Sequence, residues 1–211
     1  VTSIGQGAFL GTSLTTLVVM ANGFTKNDFN GCDSLTSVTI GDSVTYIGTY
    51  AFHGCTSLTS VTIGDSVTAI GGDAFSRCTS LTSVTIPDSV TWIGPAAFDR
   101  CTSLTSVTIG DSVAYIEDYA FRGCTDLANV IIGNGVTWIG REAFAFCTSL
   151  ASVTIGNSLG VRIEDYAFFR TSLTTLVVIG NGFTKNDFGG CDSLTSVTIG
   201  NDDIANPTTI P

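Results

Sequence analysis

Charge is scarce in this chain of 211 residues, and basic charge is scarcer still. Only 12% of the residues are charged, about half of the usual share of roughly 25%. The 8 Lys and Arg residues face 18 Asp and Glu residues, which gives a net charge of -10. This balance argues against binding of nucleic acid or of an anionic membrane through a basic patch. It favours solubility and leaves room for divalent cations.

Long apolar segments and processing signals are also missing. No apolar run approaches the ~18 residues that a membrane-spanning helix requires, so we expect no direct membrane insertion. The chain has no signal-peptide pattern and no initiator Met, which predicts a mature or trimmed segment. It also has no Asn-x-Ser/Thr acceptor for N-linked glycans.

Groups for metal or catalytic chemistry are few. The chain has one histidine, His53, and no Cys-x-x-Cys pair, so the spacing of a zinc site is absent. His53 occupies a variable position of a repeat, which is typical of a solvated surface residue, and no glycine-rich phosphate loop is present. The sequence therefore predicts no catalytic, cofactor-binding or metal site, no cofactor and no enzyme.

What the chain does have is a period of 23 residues. The block Ala-Phe-x-x-Cys-Thr-x-Leu-x-x-Val-x-Ile recurs with its leucine at the same place each time, and such self-similarity predicts a solenoid. We expect one domain over residues 1–211, made of about nine coils and cut from a longer array. The coils are marked by Leu14, Leu35, Leu58, Leu81, Leu104, Leu127, Leu150, Leu173 and Leu194.

One coil, Cys55–Arg77, shows the predicted local structure. Leu58, Val61 and Ile63 alternate with polar residues, which predicts a short strand with one buried face. A turn and a second extended piece follow, and the coil closes through a short helical or 3₁₀ turn. The alanine and phenylalanine of that turn re-enter the core. The phenylalanines predicted to form an aromatic core ladder are Phe52, Phe75, Phe98, Phe121, Phe144 and Phe168.

Seven cysteines raise the question of disulfides. Six of them share one phase of the repeat, where a residue stacks on its equivalents, and Cys191 has the same sequence context. A small buried cysteine behaves as a compact hydrophobic residue. We therefore predict a buried, reduced ladder, with bridges between adjacent coils or a bound metal as the alternatives.

The run Ile-Pro-Asp-Ser-Val-Thr-x-Ile-Gly-x-x-Ala-Phe-x-x-Cys-Thr-Ser-Leu, at residues 86–104, resembles the BspA-like (Treponema-type) leucine-rich repeat. The resemblance covers essentially the whole chain. It implies a right-handed, curved leucine-rich-repeat solenoid with little helix. It also implies a secreted or cell-surface protein with a role in adhesion or host binding. It transfers no ligand-contacting residues.

Two columns are candidates for a binding surface. Tyr46, Trp92, Tyr115 and Trp138 share one outward phase, and exposed Tyr and Trp suit protein hot spots and stacking on sugars. The alternative is that these rings only stabilise adjacent strands. The second candidate is the row of Ser and Thr side chains on the strands, here called the hydroxyl face, which is expected to be concave. The alternative is that threonine occurs there only because it favours β-strands. The central members of the hydroxyl face are Ser60, Thr62, Ser83, Thr85, Ser106 and Thr108.

A third column places an acidic residue in each turn, and it predicts Asx-turn caps, with calcium binding as the alternative. It contains Asp42, Asp65, Asp88 and Asp111, and Asn134 and Asn157 continue it.

The chain ends and two divergent coils point to self-association. Residues 8–41 and 167–200 are nearly identical, and each lacks the cysteine before its Thr-Ser-Leu. Neither end resembles a polar capping repeat, and an uncovered strand edge can extend head to tail.

These features favour a non-catalytic binding or adhesion module that holds a protein or carbohydrate ligand. A structural spacer or self-associating fibre subunit is the alternative, and an ice- or mineral-binding threonine surface is a weaker one.

Overall fold

The computed structural model describes residues 9, 12–20, 28–156, 160–179, 194–200 and 208–210. Cys191, Asn157, Val1, Pro211 and much of the two nearly identical segments 8–41 and 167–200 lie outside those residues. Over the described ranges the chain is a β-solenoid with no helix.

Short strands and turns account for every regular element among the described residues. In chain order the strands are β1 (Thr16–Val19), β2 (Ser37–Ile40), β3 (Tyr46–Ile47), β4 (Ser60–Ile63), β5 (Ala69–Ile70), β6 (Ser83–Ile86), β7 (Trp92–Ile93), β8 (Ser106–Ile109), β9 (Tyr115–Ile116), β10 (Asn129–Ile132), β11 (Trp138–Ile139), β12 (Ser152–Ile155), β13 (Arg162–Ile163), β14 (Thr175–Ile179), β15 (Ser196–Gly200) and β16 (Thr208–Ile210).

The strands form two sheets on opposite sides of the coil. The first has ten strands in the order β1-β2-β4-β6-β8-β10-β12-β14-β15-β16, and the second has six in the order β13-β11-β9-β7-β5-β3. Except for β16, the strands pair parallel and in register, as where Val107, Val130 and Val153 lie side by side. A step of 21 residues from Thr175 to Ser196 keeps this register. Because one face of each strand is buried, a slip of one residue would expose the core.

The core is a set of columns in which each side chain stacks on its equivalent in the next coil. The predicted phenylalanine ladder is confirmed, and Phe9 and Phe29 extend it. Ring centroids of successive members lie 5.0–5.4 Å apart, with interplanar angles of 2–15°. The rings from Phe29 to Phe168 are buried, so this near-parallel stack forms a continuous aromatic part of the core.

The turn that closes each coil is a run of overlapping turns. In one coil the amides of Ala51, His53 and Cys55 donate to carbonyls three residues back. The intervening amides of Tyr50, Phe52 and Gly54 donate to the next coil at 2.7–2.9 Å. This alternation places two left-handed residues in each full coil, such as Asp73 and Arg77 with φ of 54° and 61°. Most of these residues are not glycine, so each coil stores backbone strain of about 1–2 kcal/mol per left-handed residue.

The left-handed turn positions provide a first prediction. Gly54 has φ of +69°, and a Cβ added there would meet nothing within 4 Å. We expect Gly54→Ala to lower the free energy of unfolding by about 1 kcal/mol through backbone strain alone. Gly54→Asn should lower it less, because asparagine tolerates the left-handed region. Urea denaturation of both variants measures this, and an alanine variant as stable as the parent would contradict it.

The C-terminal edge differs from the uncovered edge that the sequence predicts. Strand β16 reverses direction and pairs antiparallel with β15, so that Thr198 lies opposite Thr209. The edge of β15 is therefore already occupied, and parallel head-to-tail extension would have to displace β16. The expectation of an uncovered edge was wrong for this end of the sheet, because the sequence pattern does not show that the chain folds back.

Candidate functional site

The aromatic column runs along the outer face of the second sheet. Register places Tyr46 beside Ala69, Ala69 beside Trp92, and Trp92 beside Tyr115. Trp138 and Arg162 continue the row. Each inward neighbour is an isoleucine of the core, which leaves the rings on the outside. Four rings thus form one row that Ala69 interrupts.

The two tyrosines of this column are more accessible than its two tryptophans. Tyr46 and Tyr115 are 40% and 48% exposed, whereas Trp92 and Trp138 are half-buried. Polar neighbours hold the tryptophans in place. The indole Nε1 of Trp92 donates to Glu117 Oε1 at 2.9 Å. The Arg162 guanidinium lies 4.8 Å from the centre of the Trp138 ring.

Residues that the sequence did not single out therefore belong to this surface. Arg162 also pairs with Glu164 at 2.6 Å, so the row ends in a fixed cation beside a carboxylate. Glu117 and Glu164 share a position with Gly71 and Gly94, one step after the inward isoleucines. This shared repeat position was the sequence signal that could have identified Glu117 and Glu164 as part of the surface. The column can stack on a flat ring and offer carboxylates to hydroxyl or amide donors.

The hydroxyl face lies on the first sheet. All six of its central members are exposed, namely Ser60, Thr62, Ser83, Thr85, Ser106 and Thr108. Ile131 and Val18 interrupt the face with side chains that are 57% and 62% exposed. Flanking threonines, such as Thr59 and Thr105, donate their Oγ1 to a threonine carbonyl one coil back at 3.0–3.1 Å. The face is therefore polar but not uniform.

The acidic turn column links coils instead of capping its own turns. Asp42 Oδ1 accepts the amide of Asp65 at 3.2 Å, and Asp88 Oδ1 accepts the amide of Asp111 at 2.7 Å. Asp111 in turn accepts the amide of Asn134 at 3.0 Å. The predicted Asx-turn cap is replaced by this ladder, because stacking brings the next amide within reach.

The turn side carries a small ionic network. Asp99 is almost fully buried and accepts the Arg122 Nε at 2.9 Å, while Arg122 also lies 4.0 Å from Glu142. Burial lowers the pKa of His53, and its Nδ1 has no hydrogen-bond partner. Within the described ranges, no group of three or more His, Cys, Asp or Glu side chains could hold a metal ion.

The cysteine ladder is buried, as the sequence predicts. Six free cysteines are described, and each donates its thiol to a phenylalanine carbonyl of the preceding coil at 3.1–3.2 Å. Burial raises the pKa of Cys55 to about 12. In a divergent coil that lacks the cysteine, Thr171 donates its hydroxyl to the Phe168 carbonyl of its own turn at 2.9 Å. The ladder is therefore a hydrogen-bonded part of the core.

Comparison with known proteins agrees with this architecture. The sequence profile described as the BspA type leucine rich repeat region (6 copies) matches residues 22–137 and 93–206. A T. pallidum leucine rich repeat protein of known structure is 30% identical, with a TM-score of 0.63 over 74% of this chain and 78% of that chain. A leucine rich cell surface protein from Faecalibacterium prausnitzii A2-165 is 27% identical, with a TM-score of 0.50 over 85% and 74%.

Two further findings concern curated relatives and membrane-spanning helices. A search of curated proteins found none that matches the chain. None of the residues whose structure is described forms a helix that is long and apolar enough to cross a membrane. The matched profile spans most of the sequence, and the repeat, the sheets and the stacked core agree with it. The chain belongs to the BspA type leucine rich repeat family.

Proposed function

We propose that the chain is a binding module of a secreted or cell-surface protein, and that it holds a protein or glycan ligand on the aromatic column. The observation that carries this proposal is the row of Tyr46, Trp92, Tyr115 and Trp138 on one outer sheet face. Aromatic rings of this kind dominate protein interfaces and also stack on sugar rings. The cell-surface description of the F. prausnitzii protein supports the proposed location.

Glu117 and Arg162 support a binding role over simple strand stacking. Glu117 accepts the indole N–H at the edge of the Trp92 ring at 2.9 Å, and the Arg162 guanidinium lies over the Trp138 ring at 4.8 Å from its centre. A ring that is fixed before the ligand arrives loses less conformational freedom on binding. The sheet therefore presents a preorganised surface whose carboxylate and guanidinium groups can orient a polar ligand.

Removal of both tryptophans tests the proposal. We expect the double variant Trp92→Ala, Trp138→Ala to weaken ligand binding more than about tenfold, because buried aromatic anchors carry most of the binding energy. The melting temperature should change by only a few degrees, since both rings lie outside the core. The ligand is first selected on an array of glycans and matrix proteins, and the dissociation constant is then measured for parent and variant.

The matched control is Thr91→Ala, Thr137→Ala, which changes exposed residues next to the same two rings. This control should bind as the parent does. A large loss of stability in the tryptophan variant, with binding unchanged per folded molecule, would mean that the rings serve strand stacking only.

A further inference from the structure

A cavity of about 340 Å³ opens between strands β4 and β6 of the first sheet. Val61, Val84 and Pro87 supply its apolar walls, and Thr62, Thr85 and Asp65 are among its polar groups. Val61 is half-buried, whereas the equivalent Val38, Val107, Val130 and Val153 are at most 2% exposed. The cavity therefore exposes a part of the core that neighbouring coils keep closed.

Pro87 explains why the cavity lies at this junction. Glycine holds the equivalent position in most coils. The amides of Gly41, Gly110, Gly133 and Gly156 donate to the carbonyl of the last strand residue of the preceding coil at 2.8–3.0 Å, as Gly110 does to Ile86. Proline has no amide hydrogen, so the carbonyl of Ile63 lacks this donor. Paired register between β4 and β6 is then limited to Ser60 and Ser83, while β6 and β8 pair over four residues.

The groups around the cavity accept hydrogen bonds and lack a cation. Asp42, Asp88 and Asp111 each accept a backbone amide of the next coil. Asp65 does not form this bond. Over the described part of the chain, no ion pair involves Asp65 either. An exposed carboxylate and a backbone carbonyl without its usual donor thus border an apolar slot. The net charge of -10 adds a field that attracts cations.

We propose that this cavity binds the side chain of a lysine from a partner protein. The ammonium group donates to the Asp65 carboxylate and to the Ile63 carbonyl, and the methylene stem packs on Val61, Val84 and Pro87. Lysine suits the site because its three donors point in different directions, whereas the planar guanidinium of arginine favours a single bidentate acceptor. The site lies on the first sheet and does not depend on the aromatic column of the second.

The proposal is tested by titrating the full chain, with labelled methyl groups, with a capped Gly-Gly-Lys-Gly-Gly peptide. NMR records the chemical shifts of the methyl groups at each peptide concentration. We expect shifts at Val61, Ile63 and Val84, with Val107 and Ile109 of the neighbouring closed junction unchanged. Pro87→Gly should abolish the shifts without altering net charge, because glycine restores the missing amide. Asp65→Asn should weaken binding about tenfold, in line with the loss of a charged hydrogen-bond partner.

Three controls make the result specific. Asp111→Asn removes the same charge at a closed junction and should leave binding unchanged. A peptide with norleucine in place of lysine should not bind, because it lacks the ammonium group. The Trp92→Ala, Trp138→Ala variant should bind the lysine peptide as the parent does, which separates this site from the aromatic column. Binding that survives Pro87→Gly, or shifts of equal size at Val61 and Val107, would overturn the proposal.

Discussion

Unfolding of a Phe98→Ala variant is expected to require about 3–5 kcal/mol less free energy than unfolding of the parent chain. Phe98 is fully buried, and its ring lies 5.2 Å from that of Phe75 and 5.1 Å from that of Phe121. Alanine would leave a cavity in the middle of the stack. Because each coil contacts only its neighbours, the array should split at this point and unfold in two steps. Urea denaturation followed by circular dichroism measures both effects.

The control for this substitution is Tyr115→Ala, which removes an aromatic ring of similar size from the surface. Tyr115 is 48% exposed, so we expect its loss to cost less than about 1 kcal/mol. If Phe98→Ala cost no more than this control, the ring stack would not be a main source of stability.

Stability should also fall steeply as the pH rises above about 9, the range in which a thiol of the unfolded chain ionises. Burial raises the pKa of Cys78, Cys101 and Cys124, and that of Cys55 to about 12. The folded state therefore keeps protons that the unfolded state releases. The stabilisation is complete below the thiol pKa of the unfolded chain and is lost as the pH rises through the folded value. Each of these thiols should contribute about 1.4 kcal/mol of loss per pH unit in that window.

A variant with threonine at these four positions separates the thiols from other groups that titrate in alkali. Threonine is close to cysteine in size, and its hydroxyl can donate to the same phenylalanine carbonyl. The threonine variant should lose about 5 kcal/mol less than the parent between pH 9 and pH 10, since its hydroxyls do not ionise there. Urea denaturation at a series of pH values gives both curves. Parallel curves for parent and variant would show that the buried thiols do not govern alkaline unfolding.

The repeat period was sufficient to predict which side chains stack in the core. Phe75, Phe98 and Cys101 lie where their spacing places them, because a residue at one phase of a solenoid meets its equivalent in the next coil. The same reasoning did not predict the hydrogen bonds between coils. Which phenylalanine carbonyl accepts each thiol, and which amide donates to Asp88, depends on the path of the backbone. The aligned repeat sequence does not show that path.

The candidate surface was predictable only in part. The shared register of Trp92, Tyr115 and Trp138 follows directly from the 23-residue step. The contacts of Glu117 and Arg162 with the tryptophans depend on side-chain direction, which the period leaves open. Pro87 is likewise visible in the sequence as a departure from a column that is mostly glycine. Its effect becomes clear only when the glycine amide is known to bond the preceding coil.

Because the thiols are buried, it matters whether the chain folds before or after it meets an oxidant. Parallel strands stack about 4.8 Å apart, which lies within the Cα separations of roughly 4.4–6.8 Å that disulfides span, so distance alone would allow neighbouring cysteines to join. After folding, however, an oxidant meets neither an accessible sulfur nor a thiolate. A chain that stacks its coils before it meets an oxidising medium keeps its thiols, whereas one that meets the medium unfolded can be cross-linked in the wrong pairs. For a secreted chain, folding before oxidation would therefore be what preserves this ladder.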